Sequence, residues 1–158
     1  MLLRARKLGH FIPADIREIA SQLADRECTC YVVGGAIRDL LRGKNVKDID
    51  LATEATPEQM EEIFPETIPT GRQFGTLTVK WNEKYYQLTT FRKETGYSDR
   101  RHPDKIEYSK DIREDILRRD FTINALAYNP LNNELVDECN GLEDLSNRIL
   151  RTVGDPAK

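Results

Sequence analysis

Asp48 and Asp50 are carboxylates separated by a single residue in the run Lys47-Asp48-Ile49-Asp50-Leu51-Ala52-Thr53. On an extended strand, side chains two apart point to the same face, so both acids are expected on one face. Two carboxylates placed that way repel each other unless something positive sits between them. Magnesium suits such a pair: it takes hard oxygen ligands, keeps several waters, and is commonly held by one or two carboxylates plus substrate phosphates. Upstream, Val33-Gly34-Gly35-Ala36-Ile37-Arg38-Asp39 supplies the other half of a phosphate chemistry. Two glycines let the backbone turn tightly and approach a ligand with no Cβ in the way. A helix that begins straight after them turns free N–H groups and its positive dipole end toward a triphosphate, and Arg38 in its first turn adds bidentate donors. Each half alone also has a structural reading, Gly-Gly as a strand-to-helix joint and the aspartates as turn caps. Their combination at this spacing points to metal-assisted phosphate chemistry.

The elements that must position these groups follow from periodicity and punctuation. Residues 28–33 form an apolar strand, and 36–41 a helix ended by Gly43. Asp48–Ala52 reads as the next strand. Ile16, Ile19, Ala20 and Leu23 recur at helical spacing within residues 13–26. Thr56-Pro57-Glu58-Gln59 is a capping box that opens a short helix ending near Phe64-Pro65. Gly75–Trp81 and Tyr85–Phe91 are β-rich runs joined by Asn82-Glu83-Lys84, a hairpin. The charged stretch Arg92–Asp104 is expected to be a mobile loop. A helix is expected over Asp111–Leu126, then a short hairpin from 126–129 and 134–137, and a last small helix over Gly141–Asn147. Strands and helices alternate without a strict βαβ repeat, so the fold is expected to be α+β, with a mixed, mostly antiparallel sheet and helices on one face. The third glycine of a dinucleotide fingerprint and the lysine of a P-loop are both missing.

Composition narrows the class. With 158 residues, 39% hydrophobic and 32% charged, the chain is expected to form one soluble globular domain or one domain with the start of a second. No apolar run approaches the roughly 20 residues that span a bilayer, and Met1-Leu2-Leu3 meets Arg4, Arg6 and Lys7 at once, unlike a signal peptide. A cytoplasmic protein with no membrane partner is expected. Cys28, Cys30 and Cys139 are too few and too scattered for a sulfur metal site and read as reduced thiols. The net charge of −3 argues against a broad nucleic-acid surface. Basic side chains cluster at Arg100-Arg101-His102 and Arg118-Arg119, so any RNA contact is expected to be focal or supplied by a part of the protein outside these residues; alone, Arg118-Arg119 is equally readable as a solvated helix end.

These blocks resemble the nucleotidyltransferases of the DNA polymerase β superfamily, and within it the bacterial-type (class II) CCA-adding tRNA nucleotidyltransferases and poly(A) polymerases. The likeness is carried by Val33–Leu41, Lys47–Thr53, Thr89-Thr90-Phe91-Arg92, and Glu114-Asp115-Ile116-Leu117-Arg118-Arg119-Asp120-Phe121-Thr122-Ile123-Asn124-Ala125. It implies a polymerase-β-like catalytic head over 28–150, preceded by a helical segment over 1–27 and followed by the start of a neck domain over 151–158. In that likeness, Asp48 and Asp50 hold two magnesium ions. One activates the 3′-terminal hydroxyl of RNA for attack on an α-phosphate, and the other stabilises the departing pyrophosphate. Gly34, Gly35, Arg38, Arg119, Asp120 and Asn124 would bind or frame the nucleotide. Tyr97, Asp99, Arg101 and Pro103 match the flexible loop used in switching from C to A addition, with His102 where a second arginine is usual. The implied substrates are CTP and ATP and the implied partner is the 3′ end of tRNA, with no DNA.

Two departures qualify the likeness. Many relatives place a glutamate two residues before the Thr-Thr-Phe-Arg block, where this chain has Gln87. The base-reading neck of the family would follow Val153-Gly154-Asp155-Pro156, beyond Lys158. A poly(A) polymerase, a CC-only or an A-only enzyme shares this head. A non-catalytic nucleotide- or RNA-binding module is the reading from another class.

Overall fold

The computed structural model describes residues 5–97 and 103–154. Its centre is β1 (Cys30–Val33), four residues of which all are buried. Strand β1 pairs antiparallel with β2 (Asp50–Thr53) on one side and with β8 (Ala127–Tyr128) on the other. Beyond β2 lie β5 (Lys84–Thr90), β4 (Thr76–Trp81) and β3 (Thr67–Gly71); β8 carries β9 (Leu135–Val136). The seven strands run in the order β3-β4-β5-β2-β1-β8-β9, with β2 and β5 the one parallel pair. A separate two-stranded ladder joins β6 (Arg92–Tyr97) to β7 (Pro103–Tyr108).

Helices α1 (Ala14–Ala24), α2 (Gly35–Leu41) and α3 (Pro57–Ile63) form the expected layer on one face. Their buried residues, among them Ile16, Ile19, Leu23, Ile37, Leu41 and Met60, meet Val32, Leu51, Leu77 and Leu88 from the sheet. Alternation sends Tyr31, Val33 and Ala52 to the other face, where Ile112 and Ile116 of the short helix α4 (Ile112–Leu117) pack with Phe91 and Ala125. So α4 adds cover on the second face, over β1 and β2. On that same face β4 and β5 carry Thr76, Thr78, Gln87 and Thr89 instead of apolar side chains.

Local chemistry explains several boundaries. At the start of α3, Thr56 Oγ1 accepts from Gln59 N at 3.3 Å, while Gln59 Oε1 accepts from Thr56 N at 2.9 Å, so two orphan donors are satisfied reciprocally. The β4–β5 turn puts Asn82 and Glu83 at φ 51° and 65°, the left-handed pair that matches strand twist. Helix α1 is tied to the same hairpin: Tyr86 Oη and Asn82 Nδ2 both donate to Asp15, at 2.6 and 2.8 Å.

Three expectations change. The stretch expected as a loop from Arg92 begins and ends as the β6–β7 hairpin, with Arg92 opposite Tyr108 and Tyr97 opposite Pro103; Asp99, Arg101 and His102 lie outside the described residues. The helix expected over Asp111–Leu126 stops at Leu117, because the chain turns away to bridge Phe121 with Thr152 and to bond Val153 N to Asp120 O. A single 3₁₀ turn, Thr122–Asn124, replaces its second half. Strand β3 was not expected at all; it holds Pro69, which an edge strand tolerates because it need not donate on its open side. No helix among the described residues is long and apolar enough to cross a membrane.

Helix α5 (Gly141–Ser146) braces the 3₁₀ turn: Thr122 Oγ1 donates to the buried Asp144 at 2.6 Å, and a Cβ on Gly141 would collide with the Thr122 carbonyl oxygen. Gly141→Ala is therefore expected to destabilise the protein by roughly 3 kcal/mol, as overpacking against backbone does. Urea denaturation measures this; a change under about 0.5 kcal/mol, the range of an unremarkable surface substitution, would show that the brace yields freely.

Candidate nucleotide and metal site

The site begins where β1 ends. Val33 pairs with Asp50 of β2 and with Ala127 of β8, so the next residue, Gly34, emerges between the start of β2 and the segment that enters β8. Gly34 adopts φ 75°, ψ −146°, a region open in practice to glycine alone, and its N–H donates to Leu126 O at 3.3 Å. That kink launches α2. A Cβ on Gly34 would lie 3.4 Å from Arg119 Nη1, and one on Gly35 would lie 3.2 Å from Arg38 Nη2. Both glycines therefore leave room for an arginine to lie close against the backbone.

Arg38 is held from two sides. Its Nε donates to Asp39 Oδ1 at 3.0 Å and its Nη1 to Asn124 Oδ1 at 2.8 Å, which ties α2 to the 3₁₀ turn. Arg119 Nη2 donates to Asp115 Oδ2 at 3.2 Å and Arg118 Nε to Asp115 Oδ1 at 3.3 Å. Arg119 Nε is a buried donor that meets no acceptor among the described residues. The six nucleotide-binding candidates Gly34, Gly35, Arg38, Arg119, Asp120 and Asn124 line one open cavity of about 360 Å³, together with Arg118. They come from two stretches of sequence, 34–38 and 118–124. A larger open cavity of about 660 Å³ lies beside α5 and Ile149-Leu150; it lacks the glycine turn and the Arg38, Arg119 and Asn124 side chains that line the smaller one.

Asp50 opens β2 with an exposed side chain, on the face that also carries Val33 and Ala52. Asp48 precedes the strand instead of lying on it. Alternation still holds across it, since Ile49 and Leu51 are buried while Asp48 and Asp50 are exposed. The parallel register sets Gln87 of β5 beside Asp50, and the next strand adds Thr78. Among the described residues no three His, Cys, Asp or Glu side chains converge as a metal site. Two exposed carboxylates match magnesium, which completes its shell with waters and phosphate oxygens and needs no full protein cage.

Sequence reasoning missed Asp39 and Asp115, the two acids that aim the arginines. Asp115 was nonetheless visible in the pattern. It falls between Ile112 and Ile116 at apolar helix positions, with arginines three and four residues later. Of the loop candidates, Tyr97 and Pro103 lie within the described residues, Tyr97 ending β6 opposite Pro103 at the start of β7.

The hydrogen bond from Arg38 holds the Asp39 carboxyl below its usual range, burial opposing it more weakly. A carboxyl that titrates lower when folded than its unfolded value of about 3.9 adds stability above that value and loses it as pH falls through the folded pKa. Asp39→Asn is expected to lower the denaturation midpoint at neutral pH and to converge on the parent protein at the acid limit. A deficit of the same size at every pH would assign the loss to packing.

Residues 30–151 match the family model described as the poly A polymerase head domain. The CCA-adding enzyme of Lactobacillus helveticus is 47% identical over 140 residues, which is 89% of this chain and 35% of that protein. The crystal structure of the Bacillus stearothermophilus CCA-adding enzyme in complex with CTP aligns with a TM-score of 0.79 at 36% identity, covering 90% of this chain and 34% of that one. A tRNA nucleotidyltransferase complexed with a primer tRNA and an incoming ATP analogue aligns with a TM-score of 0.67 at 30% identity, over 88% of this chain and 39% of that one. The chain thus spans about a third of the length of the relatives it matches. By the match over residues 30–151 and the identity to these relatives, the chain belongs to the poly A polymerase head-domain family.

Proposed function

We propose that residues 28–150 are the catalytic head of a nucleotidyltransferase that joins CMP and AMP from CTP and ATP to the 3′ end of tRNA without a nucleic-acid template. Residues 1–27 are its N-terminal helical segment and 151–158 open a neck. The observation that carries this reading is the meeting of three arginines, two glycines and Asn124 around one cavity, next to the strand that Asp50 begins. In this reading Gly34 and Gly35 admit the triphosphate close to the backbone, Arg38 and Arg119 bind its oxygens through charge-assisted hydrogen bonds, and Asn124 keeps Arg38 aimed. Asp120, exposed at the cavity rim, frames the sugar. Asp48 and Asp50 would hold two magnesium ions, which would supply activation of the attacking hydroxyl and stabilisation of the pyrophosphate. Tyr97, Asp99 and Arg101 belong to the loop that adjusts the site between C and A. The names of the relatives, CCA-adding enzymes found with CTP and a nucleotidyltransferase found with primer tRNA and an ATP analogue, support the choice of substrates.

The test is incorporation of labelled CTP or ATP into a tRNA lacking its 3′ CCA, with Mg²⁺ and the complete protein. Asp48→Ala with Asp50→Ala should remove several kcal/mol of barrier lowering, on the order of a thousandfold or more in rate. Incorporation that the double substitution leaves unchanged would sink the proposal.

A second reading, a non-catalytic nucleotide-binding module, draws on one observation: Gln87 stands beside Asp50 where a third acid would add negative charge. On the catalytic reading, Gln87→Glu changes rate but is not required for it. A protein inactive as it stands and active only as Gln87→Glu would favour the module.

A further inference from the structure

We propose that Asp115 is the positioning residue of the nucleotide cavity, a buried carboxylate that presets Arg118 and Arg119 before any triphosphate arrives. This rests on reading the cavity as a triphosphate site. Asp115 is 1% exposed. A carboxylate so buried is costly unless it is paired and hydrogen-bonded, and Asp115 accepts from three donors: Arg118 Nε at 3.3 Å, Arg119 Nη2 at 3.2 Å and the backbone N of Arg92 at 3.1 Å. Asp115 lies in the first turn of the six-residue α4, where the helix dipole favours a carboxylate, but the dipole of so short a helix does not explain why this acid is buried. What it gains is the pair of arginines that follow at i+3 and i+4.

The geometry divides the work of each guanidinium. Asp115 takes Arg119 Nη2, and Nη1 of the same group lies against Gly34 at the cavity wall. Asp115 takes Arg118 Nε as well, while Arg118 also lines the cavity. Without the carboxylate, two adjacent cations would repel and sample several rotamers, and a ligand would have to order them on binding, at about 0.5–1.5 kcal/mol per side chain. Arg38 is aimed separately by Asp39 and Asn124, so Asp115 governs only the Arg118–Arg119 side of the cavity. Its bond to Arg92 N fixes the first residue of β6 to the same point. Ile112 and Ile116, packed with Phe91, hold α4 so that the acid cannot follow the arginines if they move.

The experiment uses Asp115→Asn in the complete protein, which keeps shape and one acceptor oxygen while removing the charge. Calorimetric titration with CTP reads affinity, and steady-state addition to tRNA reads kcat and KM. We expect the Kd and KM for CTP to rise about tenfold, with kcat and the KM for tRNA nearly unchanged. In an Arg119→Gln background the same substitution should have little further effect on CTP affinity, since coupled residues are non-additive. A structural role alone would lower melting temperature and active fraction and leave CTP affinity unmoved. Unchanged or tighter CTP binding, or full additivity with Arg119→Gln, overturns the proposal. If Asp115→Asn does not fold, the unsubstituted protein still decides it: the Arg118 Nε–H resonance should be protected from exchange before CTP is added, and an unprotected resonance refutes presetting. CTP binding without incorporation in the parent protein would defeat the proposed function while leaving Asp115 testable by affinity.

Discussion

Val33 has Asp50 on one side and Ala127 on the other, and this double register decides where three distant stretches of sequence meet. Gly34 leaves β1 at the same level at which Asp50 enters β2 and Leu126 enters β8. The glycine turn, the aspartates and the Arg118–Asn124 block are therefore neighbours because β1 pairs on both edges. The register itself is a product of packing. Strand β1 sends Val32 into one apolar layer and Tyr31 and Val33 into the other, and Leu51 and Ala52 of β2 divide in the same way. A slip of one residue would exchange the two faces of a strand. It would turn Leu51 toward the site and drive Asp50 into the core, so burial of Leu51 enforces exposure of Asp50.

Charge in the site is distributed by the same economy of position. The chain as a whole is slightly acidic, yet three arginines line one cavity. They coexist because Asp39 and Asp115 separate their duties, one acid to Arg38 and the other to Arg118 and Arg119. An arginine has more donors than one carboxylate can accept, so each guanidinium can be anchored and still present nitrogens to a ligand. Net charge says little about such a site, since the field that matters is local and partly shielded from water.

The sequence was most legible where structure is local. The Thr56 capping box, the α1 stripe and the Asn82-Glu83 turn are decided by residues within a few positions of one another, and each is found where expected. The nucleotide candidates were legible for another reason: their residue types are those that phosphate chemistry requires, and they do line a single cavity. Illegible features depend on partners far along the chain. Strand β3 exists because β4 offers it an edge, despite Pro69. Helix α4 ends early because residues 120–122 find partners at 151–153. A charged stretch such as 92–97 gives no apolar alternation, yet it pairs with 103–108 all the same. Asp115 shows the limit most clearly: its position in the helix pattern was readable, but the backbone donor that completes its shell comes from Arg92, 23 residues earlier.

Gln87 shows how one neutral side chain shifts the balance of the proposed reaction site. It stands in the row formed by Asp50, Gln87 and Thr78, so its amide faces the same side as the carboxylate. An amide oxygen can still accept or ligate, but it brings no charge to offset a divalent ion. A site with two carboxylates binds magnesium less tightly on its own than a site with three, and the missing negative charge must come from elsewhere. On the proposed reading, triphosphate oxygens would supply it, as magnesium sites built on one or two carboxylates commonly require. Metal and nucleotide then become mutually dependent ligands, by the reciprocity that any coupling free energy obeys. In such an arrangement the arginines on the far side of Gly34 do more than hold a substrate. By fixing the phosphates, they would complete a coordination that, on the proposed reading, Asp48 and Asp50 would only begin.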